Sequence, residues 1–118
     1  MRRDAASRVE VLQGTLDLLI LGTLLAGPTH GHGICKQIQR TSEELLQVET
    51  ASRYPALHRL HAKGWVDASW EHSEKGEWAR YSRLTAGGRK QLESEESKWN
   101  AFARAVGLIL IPIDQEAK

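Results

Sequence analysis

Apolar residues in residues 8–26 recur at helical spacing: Val9, Leu12, Leu16 and Leu19 share one face, and Thr23 continues it. Leu18, Leu21, Leu24 and Leu25 fill the other sides, so the second half of this segment is apolar nearly all round. Such a helix must be covered on more than one side, which places it between the main domain and something else. Gly27 and Pro28 stop it, because proline disfavours helix in the residue before it and glycine suits a C-terminal cap. A second helix is predicted from about His30, with Ile34 and Ile38 four apart and Lys36, Gln37, Gln39 and Arg40 facing outward. Residues 45–48 form a short apolar run, read as a minor strand or a hydrophobic turn.

Residues 50–65, TASRYPALHRLHAKGW, hold a third helix, read as Ser52 to Lys63 and ending near Gly64. Thr50 or Ser52 is expected to cap it, which puts Pro55 in the first turn. Ala56, Leu57 and Leu60 point one way, and Arg53, His58, Arg59, His61 and Lys63 occupy the rest of the circumference. Residues 65–71 and 79–84 then flank the polar stretch His72, Ser73, Glu74, Lys75, Gly76 and Glu77, which predicts a hairpin with a charged tip. Thr85 is placed to cap a last helix, which Pro112 ends. That helix carries Leu92, Trp99, Phe102, Val106 and Ile109 at steps of seven, three, four and three. A seam beyond an already complete small domain is most simply buried against a second copy of the chain and the over-apolar first helix. The predicted fold class is mostly α with a small β-hairpin. A winged helix-turn-helix over residues 1–84 precedes a long C-terminal dimerisation helix and tail over residues 85–118.

With 118 residues, 41% of them hydrophobic, the chain fits one domain, or a small domain plus one long helix. The net charge is only +1, so attraction to nucleic acid has to come from where charges sit. They are unevenly placed: residues 50–64 carry Arg53, Arg59 and Lys63 and no acid, whereas Glu93, Glu95 and Glu96 cluster late. Cys35 is alone, which excludes an internal disulfide and suits a reducing, cytoplasmic setting. Arg2 and Arg3 followed by the apolar residues 16–26 faintly resemble a secretory signal, but Asp4, Glu10 and Asp17 interrupt it. The run also falls short of the about eighteen apolar residues that a membrane span wants, so no membrane association is expected.

His30, His32 and Cys35 are zinc-binding types, yet no second cysteine or nearby carboxylate completes a ligand set in sequence, and a turn with a helix start is the simpler reading. His58 and His61 stand three apart without the intervening glutamate that a zinc-protease helix requires. No nucleophile, base and orienting group can be assembled, nor a phosphate-cradling glycine loop. Neither an enzyme nor a bound cofactor or metal is expected. Trp65 and Trp70 suit packing in a half-buried hairpin, and Trp99 lies on the seam of the last helix. There it serves interface packing or, as the alternative, lines a flat slot for a small apolar effector.

Residues 12–25 (LQGTLDLLILGTLL), 30–34 (HGHGI), 54–60 (YPALHRL) with Gly64 and Trp65, and 81–92 (YSRLTAGGRKQL) follow one another along the chain. In that order they resemble the successive signatures of the PadR family of bacterial transcriptional regulators. The resemblance implies a dimeric repressor of winged-helix fold with a C-terminal dimerisation helix, its DNA affinity open to control by a small molecule. Three departures stand out. His32 takes the place of a common aromatic residue, Arg53 that of an apolar one, and GEWAR at 76–80 that of a more basic wing. On this reading a double-stranded DNA operator is the partner. Ser52, Arg53, Tyr54, His58, Arg59 and Lys63 contact it from the third helix, with Arg53 as base reader, and Lys75 and Arg80 contact phosphate from the wing. The rival readings are a dimeric protein-interaction module of the same fold and a small enzyme.

Overall fold

A computed structural model of the chain describes residues 9–10 and 13–111. Among them the order is β1 (Val9–Glu10), α1 (Gln13–Leu24), β2 (Thr29–His30), α2 (Gly31–Thr41), β3 (Leu46–Gln47), α3 (Thr50–Ala62), β4 (Val66–His72), β5 (Trp78–Leu84) and α4 (Ala86–Ile109). The mostly α class with a small hairpin is as expected, and no described helix is long and apolar enough to cross a membrane.

The first helix starts at Gln13, later than the spacing suggested. Val9 and Glu10 instead pair in parallel with Leu46 and Gln47, so the short run at 45–48 is a strand. Val9 lies at a position compatible with either periodicity, and a β-branched residue favours the extended one. Residues 8, 11, 12 and 112 of the expected helices lie outside the described residues.

Helix α1 occupies the centre, against α2, α3, α4 and β5. Its Leu16, Ile20, Leu21 and Leu24 are buried with Ile34 and Ile38 of α2, Ala56 and Leu60 of α3, Val66 of β4 and Leu92 of α4. Each large apolar side chain in this set contributes roughly 1.5–3 kcal/mol through burial. The His30 ring caps α2, its Nδ1 accepting the Gly33 N–H at 3.0 Å.

Helix α3 begins two residues earlier than Ser52, with Glu49 as N-cap and no side-chain cap bond, so Pro55 falls in the second turn instead of the first. Its end is chemically explicit. Gly64 adopts φ +76°, the Trp65 N–H reaches the Leu60 carbonyl at 3.0 Å and the Gly64 N–H reaches that of His61 at 3.0 Å. This paired closure favours glycine at the left-handed position. The chain then enters β4, which runs antiparallel to β5 from Val66 opposite Leu84 to His72 opposite Trp78. On the other edge of β5, β2 adds a third strand in the order β2-β5-β4.

The Thr85 hydroxyl caps α4 by accepting the Gly88 N–H at 2.9 Å and donates to the Gly64 carbonyl at 2.7 Å, tying the last helix to the end of α3. Beyond Leu92 no residue of α4 is buried, and the molecule measures 61 × 35 × 21 Å. Gly88 is packed so closely that a Cβ would overlap the Trp65 carbonyl oxygen and crowd Leu84. Gly88→Ala is therefore expected to lower unfolding stability by about 1–3 kcal/mol, read by chemical denaturation. A change within a few tenths of a kcal/mol would show that this junction relaxes freely.

Candidate nucleic-acid interface

Burial of Ala56 and Leu60 fixes which way α3 faces. Asp17 is the one charged residue of α1 and accepts from the Arg59 guanidinium at 2.7 Å, so Arg59 points toward the core side. The opposite side presents Tyr54, His58 and His61 to solvent, with Tyr54 69% exposed. Across from it stands the β4–β5 hairpin, whose alternation puts Val66, Ala68, Trp70 and His72 on one face with Trp78, Arg80, Ser82 and Leu84. A groove of about 570 Å³ runs between helix and hairpin, and it is lined by His30, Gly31, His32, Arg53, Tyr54, Leu57, His58, His61, Val66, Ala68, Trp70, Arg80 and Ser82. Among the described residues no carboxylate lines it. Two arginines and four of the chain's five histidines do.

The positions expected to touch DNA separate here. Tyr54 and His58 lie on the open side of α3 and Arg80 lines the hairpin wall, whereas Ser52 is exposed but, seven residues before Arg59, shares that residue's side of the helix. Lys75 is exposed at the hairpin tip, where the Ser73 hydroxyl accepts its backbone N–H at 3.2 Å. Lys63 caps the end of α3 with its ammonium 4.8 Å from the Trp65 ring centre. Arg59 departs from expectation, because its fork is held by Asp17.

Arg53 departs as well. It is folded back over the start of α2, where a Cβ on Gly31 would lie 3.1 Å from its Cδ and Nε. Its guanidinium carbon is 5.2 Å from the Tyr54 ring centre, and its Nε is buried without a hydrogen-bond partner among the described residues. In this position Arg53 fills the angle between α2 and α3 instead of projecting as a free fork, and Gly31 makes room for it.

Sequence reasoning passed over His32 and Trp70 as groove residues. Trp70 was legible in part, since it sits two and four residues beyond Ala68 and Val66 on one strand face. Its surroundings were not: the packing expected of the hairpin tryptophans holds for half-buried Trp65, while Trp70 is 64% exposed. Trp99 and Phe102, 6.1 Å apart by ring centres, are 45% and 61% exposed on α4, and Ile109 is 78% exposed. Val106 is half-buried, whereas Leu92 is buried in its own chain and has little surface left for a partner. Among the described residues no group of three or more His, Cys, Asp or Glu is placed to hold a metal.

This is a winged-helix protein with a cationic groove along its third helix, the architecture of a DNA-binding regulator. Residues 20–94 match the model of the transcriptional regulator PadR-like family, and the chain belongs to that family. It is similar to a transcriptional regulator from Clostridium thermocellum, with 25% identity, 86% of this chain and 98% of that one covered, and a TM-score of 0.77. A PadR family transcription regulator from Clostridium difficile R20291 is 26% identical, with 81% and 98% covered and a TM-score of 0.71. An uncharacterised protein of Lysinibacillus sphaericus is 24% identical over 103 residues, which span 87% of this chain and 94% of that protein.

Cys35 gives the Arg53 position a measurable signature. Burial pushes its thiol above the ordinary value, while the Arg53 guanidinium, close enough to hydrogen-bond it, pulls the other way. Arg53→Met, which keeps bulk and removes charge, is expected to move thiolate formation to still higher pH and to slow alkylation at a fixed pH. An unchanged titration would show that Arg53 spends its time away from Cys35.

Proposed function

We propose that this protein is a dimeric, cytoplasmic transcriptional repressor that lays α3 into the major groove of a pseudo-palindromic operator. The observation that carries this reading is the carboxylate-free groove of arginine and histidine on the open side of α3, since a chain of net charge +1 has no other reason to segregate its acids from that surface. Ser52, Tyr54 and His58 approach base edges and sugar-phosphate, and Arg80 and Lys75 meet phosphate. Arg59 orients the helix through Asp17, and Lys63 steadies its end. Arg53 supports the angle between α2 and α3, from which its fork can swing to a guanine edge. Against a duplex selected from a random pool by the intact protein, Tyr54→Ala should lower affinity about tenfold and spare random duplex. Arg80→Ala should weaken both alike and reduce the magnitude of the salt slope by about one. Parent-like binding by both variants in a titration would contradict the assignment of this face.

Residues 85–118 serve as dimerisation helix and tail. The support is the exposure of Trp99, Phe102 and Ile109 on a helix that leaves the domain after Leu92, an apolar surface suited to a second copy related by a two-fold axis. The same axis would bring two reading helices to one face of a duplex. A flat apolar effector would meet aromatic surface at Trp99 and Phe102, where binding can shift the spacing of the reading helices. Sedimentation should give a dimer at micromolar concentration, and Trp99→Asp with Phe102→Asp should give a folded monomer. A monomeric parent would contradict the dimer.

A further inference from the structure

We propose that the groove-side face of the hairpin, Trp70 and Trp78 with Arg80, is an aromatic wedge that enters the minor groove of duplex DNA and bends it. The inference rests on the DNA reading above and adds a contact that reading does not need.

Strand alternation puts Trp70 and His72 on one face, directly opposite Arg80 and Trp78. Trp70 and Trp78 are each 64% exposed, so neither indole serves the core. The imidazole of His72 meets the Trp78 ring edge-on at 4.1 Å between centres, which limits the directions that ring can take. Acids are kept off this face. Asp67 and Glu71 alternate to the opposite side, where Glu71 accepts from Arg83 at 2.6 Å, and Glu74 and Glu77 belong to the tip.

A partner for this surface must offer flat apolar faces flanked by negative charge. Stacked bases between two phosphate backbones have that chemistry, whereas an apolar protein surface would leave Arg80 without a counter-charge. Position argues the same way, because Trp70 also lines the groove beside Tyr54, His58 and His61. With α3 in the major groove, a phosphate ridge follows the arginine- and histidine-lined cleft, and the next surface the hairpin meets is the adjacent minor groove. Apolar side chains inserted there partly unstack a base step and kink the duplex, most readily at flexible pyrimidine-purine steps.

The test uses the intact chain and a duplex it selects from a random pool, with bending read by energy transfer between the duplex ends. The parent should bend the duplex by roughly 20–90°. Trp70→Ala with Trp78→Ala should keep the parent's circular dichroism, lose the bend and bind about tenfold or more weakly. Trp70→Phe should keep most of both. Should the double variant bind and bend like the parent, the wedge is refuted while the DNA reading stands. Loss of self-association with unchanged DNA binding would refute it in favour of a contact between copies. Failure of the parent to select any duplex would refute the DNA reading itself, and the wedge with it.

Discussion

Helix α1 is apolar on nearly every side, and a helix of that kind is stable in water only when other elements surround it. Here α2, α3, α4 and β5 all pack on it, so the third helix, the hairpin and the last helix take their positions from one buried rod. Its single charge is spent on the ion pair of Asp17 with Arg59. The pair fixes the rotation of α3 about its own axis. Turning Arg59 inward sends Tyr54, His58 and His61 outward, where a ligand as broad as a duplex can reach them. Both side chains remain partly solvated, so the pair itself contributes about 1 kcal/mol or less, and its main consequence is geometric.

Electrostatics of the outer surface follows from this rotation. A net charge of +1 generates no general attraction to a polyanion, yet the groove concentrates Arg53 and Arg80 with His30, His32, His58 and His61, and among the described residues no carboxylate lines it. Fields of that kind act over about a Debye length, so the interface should steer DNA at short range and lose its pull as salt rises. One imidazole there also has a structural part, since the Nδ1 of His30 accepts the Gly33 N–H at the start of α2.

Elements with long or strict periodicity were legible in the sequence. The four helices, the hairpin, the Thr85 cap and the Gly64 stop follow from spacing and local chemistry alone, and the over-apolar first helix announced that it would be covered. Strands β1 and β2 were not legible, because two residues carry no period and are fixed by partners far along the chain. For the site, the third helix and its cationic character could be read, but the directions of its arginines could not. Arg59 answers to an aspartate 42 residues earlier, and Arg53 to a glycine that leaves space on α2. Leu92 illustrates the same limit. Its spacing joins it to Trp99 and Phe102, while the packing of α4 on the domain claims it for the core.

The groove between α3 and the wing is the face proposed to meet DNA. Its most direct test is an NMR titration of the intact protein with a selected duplex, following backbone amides and imidazole rings. The signals of His32, His58, His61 and Tyr54 should move together with those of Trp70 and Arg80, while those of Asp67, Glu71 and Arg83 on the far side of the hairpin stay still. Perturbation centred on that far side, or on α4 alone, would contradict it.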